Sequence, residues 1–514
     1  MAVYRKIVFP AALLFIAGGV QGVGFEKNIV GYFTSWSVYV RNYHVTDIPA
    51  DRVNYINYAF ANINPATGEI VLGDAYADID KWYPGDSSHP DSLRGSFHQL
   101  QILKAENPHI RTLISVGGWT WSTYFSDIAL TPVSRETFAL SCVQFIQEYD
   151  FDGVDIDWEY PVEGGLPGNI YRPEDKENFT ALLAELRYQL DIAGDDYLLT
   201  VATTASPVYI ENIEPDQIHQ YLDWINVMTY DFHGPWGGES DAFTNFNSPL
   251  YMNPEDPLGE PYHSFFNLSA AIEGYIGKGV PAQKIHAGIP FYGRGYANVE
   301  NENNGLYVSY SGPAVPGTWE PGCFDYWDLS QNYIDKNGYV SYWQNDAQVP
   351  WLYNPTEQKM ITYDDPRSIV AKAEFINSLN LGGAMFWEFQ ADKYSELLDS
   401  LYLILNDSLQ TAVGDSNGQP VVPGLIRLNN YPNPFRQSTT IEFSLPYASP
   451  VKLRVYDASG RIVSTLSSSN CPGGMNYIIW NGVDDCNRPL PSGVYHCHLS
   501  TEDTFINRRL LMMH

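Results

Sequence analysis

The chain is poor in cysteine and in positive charge. Its 514 residues include five cysteines, Cys142, Cys323, Cys471, Cys486 and Cys497, whose spacing fits no zinc pattern. So few thiols exclude a disulfide-stapled scaffold. The three near the C-terminal end leave one disulfide open for a chain exported into an oxidising compartment. Cys142 falls on the face of an expected helix and reads as an inert buried thiol. Lys and Arg total 29 against 60 Asp and Glu, a formal charge of −31, and the isoelectric point is near 4.5. That balance excludes nucleic acid and anionic membrane as partners, because both demand basic surface. It suits a soluble, exported protein that meets a neutral or cationic polymer. Long apolar runs are missing too, with one exception. Ile7–Val20 follows Arg5 and Lys6 and precedes small residues up to Gly24. This is the form of a secretory signal over residues 1–23. It is too short for a stable membrane anchor, and the mature chain is expected outside the cell or on its surface.

Aromatic residues, by contrast, are plentiful: 13 Trp, 37 Tyr and 24 Phe. Aromatic faces are surfaces on which sugar rings stack, as well as ordinary core. The length calls for two or three domains. Eight short apolar segments recur, at Ile29–Ser35, Val53–Asn62, Arg111–Trp119, Phe151–Glu159, Leu198–Thr204, Trp224–Asp231, Ile285–Gly293 and Gly383–Glu388. Stretches of helical spacing such as Ser134–Tyr149 and Pro173–Ile192 lie between them. Continuous apolar strands alternating with helices imply a parallel sheet buried on both faces. Eight such units predict an α/β fold, a (β/α)8 barrel over residues 24–405 with insertions. Residues 406–424 lack periodicity and are expected to be a linker. From 425 to 514 the pattern changes to short alternating strands, at Ser438–Leu445, Val451–Asp457, Asn476–Asn481, Gly493–Ser500 and Thr504–Met512, which predicts a small β-sandwich.

The most specific stretch is Phe151-Asp152-Gly153-Val154-Asp155-Ile156-Asp157-Trp158-Glu159-Tyr160-Pro161. Asp155, Asp157 and Glu159 occupy every second position. In an extended strand all three carboxylates share one face, and Val154, Ile156 and Trp158 share the other. Like charges so crowded raise one another's pKa, which suits acid–base chemistry rather than stability.

This spacing resembles the signature of the family 18 glycoside hydrolases, the chitinases, and the resemblance extends over residues 27–405. It implies that Glu159 is the general acid and that the substrate's own acetamido oxygen, not a protein carboxylate, is the nucleophile. Asp157 would orient the acetamido N–H and offset the developing charge, while Asp155 would share a proton or hydrogen bond with Asp157. Met228-Thr229-Tyr230-Asp231 matches the family's Met-x-Tyr-Asp, with Tyr230 donating to the acetamido oxygen and Asp231 holding the sugar and modulating Glu159. Ser115-Val116-Gly117-Gly118-Trp119 matches its Ser-x-Gly-Gly. By the same carry-over, Tyr32, Phe60, Gly117, Gly118, Trp119, Met228, Tyr292, Arg294 and Trp387 are expected to line the substrate cleft, with Trp387 as its floor. Residues 296–365 resemble the small α+β insertion domain that walls the cleft of larger chitinases. The resemblance implies chitin and chito-oligosaccharides as substrate, with no metal and no cofactor. It leaves two alternatives open: an endo-β-N-acetylglucosaminidase acting on glycoproteins, and a non-catalytic chitin-binding lectin. In the last domain, Asn430-Tyr431-Pro432-Asn433-Pro434-Phe435, Val455-Tyr456-Asp457-Ala458-Ser459-Gly460-Arg461 and Ser492-Gly493-Val494-Tyr495 resemble two groups. These are the type IX secretion sorting domains and the Ig-like domain of flagellar hook-capping proteins. Secretion machinery is the partner that this implies.

Overall fold

The computed structural model describes residues 25–406, apart from 90, 91 and 195. It also describes 427–512 apart from 432–434, 437, 446–448, 458–460, 472, 473, 486, 487 and 502–504. The expected signal segment, the linker beyond Asn406 and Cys486 lie outside these residues. The chain divides into two compact units, the first ending at Asp407.

In the first unit, all eight apolar segments form strands. They are β1 (Asn28–Thr34), β2 (Tyr55–Ile63), β3 (Arg111–Gly117), β4 (Gly153–Asp157), β5 (Leu198–Thr204), β6 (Trp224–Met228), β7 (Ile285–Pro290) and β8 (Gly383–Trp387). Each pairs in parallel with the next, from Val30↔Tyr55 between β1 and β2 to Gly383↔His286 between β8 and β7. Pairing of β8 back to β1, Asn28↔Gly383, closes the barrel. The outward residues Val154, Ile156 and Trp158 join the large core between strands and helices. Tyr32, Phe60, Trp224 and Met385 fill the interior.

Helices form where the local chemistry favours them. Helix α1 (Pro132–Tyr149) begins at Thr131, whose side chain accepts from the Ser134 amide while Pro132 presets the first turn. Helix α2 spans Asp175–Ala193, with Asp175 and Glu177 in its first turn. After the eighth-strand region, α3 (Glu396–Asn406) completes the unit. Asn406 Oδ1 accepts from the backbone amides of both Glu26 and Lys27, at 2.7 Å each.

The expected insertion is present but begins earlier than residue 296. The seventh apolar segment is two elements, because β7 ends at Pro290 and Tyr292–Tyr296 opens a separate sheet. That sheet has five antiparallel strands in the order Cys323–Asp325, Tyr292–Tyr296, Lys359–Thr362, Val349–Asn354, Val340–Gln344. The helix Pro366–Ser378 then leads back to β8.

The second unit is a β-sandwich of a three-stranded and a four-stranded sheet. In the strand Ser449–Asp457, Val451, Leu453 and Val455 are buried while Lys452 is exposed, the alternation of a sheet with one wet face. Its core draws Ile441, Phe443 and Trp480 from one sheet and Leu453, Val455, Cys497 and Leu499 from the other. Two strands exceed the expected five. Arg427–Tyr431 precedes a proline, and Ile462–Cys471 carries so many serines that its alternation is muted. Among the described residues Cys142, Cys323, Cys471 and Cys497 are free thiols, and Cys142 is buried with its thiol pushed well up by desolvation.

Candidate active site

Strand alternation turns Asp155 and Asp157 into the barrel interior, and Glu159 stands just past the C-terminal end of β4. Asp155 is fully buried and its carboxylate is saturated. Tyr32 Oη and Ser115 Oγ donate to Oδ2, both at 2.7 Å. Thr200 Oγ1 and Asn226 Nδ2 donate to Oδ1 at 2.6 and 3.4 Å. Burial raises its pKa, but these donors pull it back. The expected hydrogen bond to Asp157 is not among them.

Asp157 is 4% exposed, and its Oδ1 is buried without a hydrogen-bond partner. Desolvation, then Glu159, then Asp155 push its pKa well above the carboxylate range. Glu159 is pushed up to about 7, chiefly by burial and further by Asp231, while hydrogen bonding from Tyr160 opposes the shift. Its backbone is clamped from both sides. The Glu159 amide donates to Ser122 Oγ at 2.9 Å, and Asn169 Nδ2 donates to the Glu159 carbonyl at 3.0 Å.

At the end of β6, the Tyr230 hydroxyl approaches Met385 Sδ at 3.7 Å, and burial first, then Asp157 and Glu159, push its pKa well up. Asp231, at φ 55°, is held in a two-pronged ion pair. Arg294 Nε and Nη2 each donate to one of its oxygens at 2.7 Å. Arg294 in turn lies over the rings of Tyr292 and Trp236. Tyr292 and Arg294 therefore reach the site from the insertion sheet rather than from the barrel.

Trp387 stacks on Phe60 with centroids 5.7 Å apart and 19° between planes, and packs against Tyr32 and Trp36. Phe60 sits where the register between β2 and β3 slips. Gly117 and Gly118 adopt φ 107° and 70°. A Cβ on Gly118 would lie 2.6 Å from the Phe60 ring, and one on Gly117 would lie 2.4 Å from the Asp157 carbonyl oxygen. Gly118→Ala should therefore cost about 1–3 kcal/mol of stability from strain and overpacking, and thermal melting checks it. Met228 packs in the interior cluster, whereas Trp119 is 49% exposed at the rim. Its neighbour Trp121 is the one that packs inside. Trp36, Trp121, Ser122, Asn169 and the donors Thr200 and Asn226 were not anticipated from the sequence. Trp121 carried a signal, lying two residues from Trp119 in the same segment. Thr200 and Asn226 carried none.

Among the described residues, no group of three or more His, Cys, Asp or Glu could hold a metal ion, and no helix is long and apolar enough to cross a membrane.

The arrangement is three buried carboxyls of raised pKa, Asp155, Asp157 and Glu159, beside an aromatic floor, which can donate a proton to a leaving oxygen and bind a sugar ring. Known proteins resemble the chain in fold and in sequence. Residues 433–504 match the FlgD Ig-like domain. Chitinase A1 of Niallia circulans is 44% identical over 433 residues, covering 78% of this chain and 61% of that protein. Chitinase 1 of Aphanocladium album is 35% identical over 381 residues, 73% of this chain and 83% of that one. The solved structure of Chitinase ChiA74 from Bacillus thuringiensis superposes with a TM-score of 0.70 at 35% identity, covering 94% of this chain and 84% of that one. Residues 28–392 match the Glycosyl hydrolases family 18, and the chain belongs to that family.

Proposed function

We propose that the chain is an exported chitinase that hydrolyses β-1,4 bonds between N-acetylglucosamine units with retention, using the substrate's acetamido oxygen as nucleophile. The observation that carries this reading is the unequal treatment of the carboxylates. Asp155 has its oxygens saturated by four donors, and Asp231 is locked to Arg294. Of the three aspartates, Asp157 is the one that keeps a buried oxygen without a donor, beside the acid Glu159. An acetamido N–H supplies that missing donor. The amide oxygen is then turned toward the anomeric carbon, and the positive charge that develops on the oxazolinium ion draws Asp157 back to its ionised form, whose negative charge offsets it. Glu159 protonates the leaving oxygen and then deprotonates the incoming water. Tyr230 donates to the acetamido oxygen, and Trp387 is the floor under the distorted ring.

Two inversions give net retention, so early products should be β-anomers by proton NMR, and fully deacetylated chitosan should be inert. Initial α-anomer would mean direct attack by water, and cleavage of deacetylated substrate would mean a protein nucleophile. Either result overturns the mechanism. Because the acid must be protonated and its pKa stands at about 7, the kcat/KM profile should fall as pH rises through about 7. An upper limb near the ordinary glutamate value would contradict it.

The exported location follows from the signal-like N-terminus. The C-terminal sandwich serves sorting or anchoring rather than hydrolysis, since every residue assigned above precedes Asn406. A chain ending at Asn406 should cleave soluble oligomers at the full-length rate; a folded but inactive truncation would assign the sandwich a larger role.

A further inference from the structure

Asp231 and Arg294 belong to different structural parts, the end of a barrel strand and the first strand of the insertion sheet, yet they meet in an ion pair with two short hydrogen bonds. Something must hold those parts in register. Asn247 lies between them, 1% exposed, and every polar group it has is engaged with one part or the other. Its side-chain Oδ1 accepts from the Asp231 amide at 2.9 Å, and its Nδ2 donates to the Tyr292 carbonyl at 3.3 Å. Its backbone amide donates to Thr362 Oγ1 at 3.0 Å, and its carbonyl accepts from the Phe232 amide at 3.1 Å. Thr362 stands opposite Arg294 in the insertion sheet, so Asn247 touches both neighbours of the ion pair. Asp231 has a left-handed backbone, a conformation that costs a non-glycine residue energy unless its surroundings enforce it.

We propose that Asn247 is a positioning residue for the reaction: it fixes the insertion sheet to the end of β6 so that Asp231 stays paired with Arg294 at the edge of the cleft. This rests on the catalytic reading given above. A side chain shorter than asparagine leaves the Asp231 amide and the Tyr292 carbonyl without partners in a buried place. Asp231 and Arg294 are then free to drift, and with them the substrate contact they make.

The charged and titratable groups around Glu159 and its neighbour Asp231 come from three elements: Asp155, Asp157 and Tyr160 from β4 and its extension and Tyr230 from β6 on the Glu159 side, and Tyr292, Arg294 and Cys323 from the insertion sheet on the Asp231 side. Of these, Asp231 raises the Glu159 pKa. Displacing Asp231 therefore lowers it, and the upper pH limb of the reaction moves down.

The experiment measures kcat and KM against pH on a fluorogenic chitobioside for the full chain and for Asn247→Ala, Asp231→Asn and the double variant. Thr362→Val, which removes only the outer support, serves if Asn247→Ala does not fold. Asn247→Ala is expected to lose about ten- to a hundredfold in kcat/KM and to lower the upper limb by roughly half a pH unit, in the direction of Asp231→Asn. The double variant should show the limb of Asp231→Asn and no further shift. Thr362→Val should shift the same way by less. A melting temperature that falls while the limb stays in place, or two limb shifts that add, overturns the proposal. An active Glu159→Gln overturns the acid assignment and this proposal with it. An inactive Glu159→Gln beside an unshifted Asn247→Ala overturns the role of Asn247 alone.

Discussion

Glu159→Gln should bind chito-oligosaccharides as the parent chain does and lose at least about 10²–10⁴ in turnover. The amide has the shape of the acid but no proton to give to the leaving oxygen. The backbone at this position is held by Ser122 and Asn169, neither of which senses the substituted group, so the geometry of the cleft should survive. Calorimetric titration with an uncleaved oligomer and a rate assay on the same preparation separate the two effects. Near-normal turnover would remove Glu159 from the mechanism, and lost binding with lost turnover would indicate a collapsed cleft instead.

Asp157→Asn should produce an opposition between activity and stability. The charge that offsets the oxazolinium ion disappears, with an expected loss of about 10²–10³ in kcat. The folded chain, however, no longer has to bury a carboxylate beside Asp155 and Glu159 with an oxygen that finds no donor. The sign follows from the raised pKa. A carboxyl whose folded pKa stands above its unfolded value stabilises the fold fully only at low pH, and that contribution is lost as pH rises through the folded value. The substitution removes this loss, so the variant should be more stable to unfolding than the parent at pH 8, by an amount on the order of 1–3 kcal/mol, and should melt higher, a difference that should shrink toward pH 4. Equal melting at both values would mean that the carboxyl is compensated in the free enzyme. Sites built for catalysis often carry such a cost.

The features legible in the sequence were those written along one segment. Val154, Ile156 and Trp158 against Asp155, Asp157 and Glu159 show both faces of β4 at once, because strand alternation maps directly onto residue order. The barrel was legible for a similar reason: strands buried on both faces leave uninterrupted apolar runs. What escaped was written across segments. Two of the donors to Asp155, Thr200 and Asn226, come from β5 and β6, and a threonine or an asparagine in a strand gives no local sign of where it points. The division of the seventh segment at Phe291 escaped because Ile285–Gly293 reads as one apolar run, although its last residues leave the barrel for another sheet. The strand Ile462–Cys471 escaped because its serines hide the period of two.

The clasp of Asn406 on the amides of Glu26 and Lys27 has an evolutionary consequence. The place where the polypeptide enters the barrel unit and the place where it leaves are adjacent, tied by two hydrogen bonds to one side chain. A unit with neighbouring ends can be spliced into a longer polypeptide, duplicated in tandem or rewired by joining its ends and opening it elsewhere, without threading new chain past the cleft. Modular shuffling of this kind needs only that the clasp be kept, and a circularly permuted version joined through a short bridge between Asn406 and Phe25 should retain its fold.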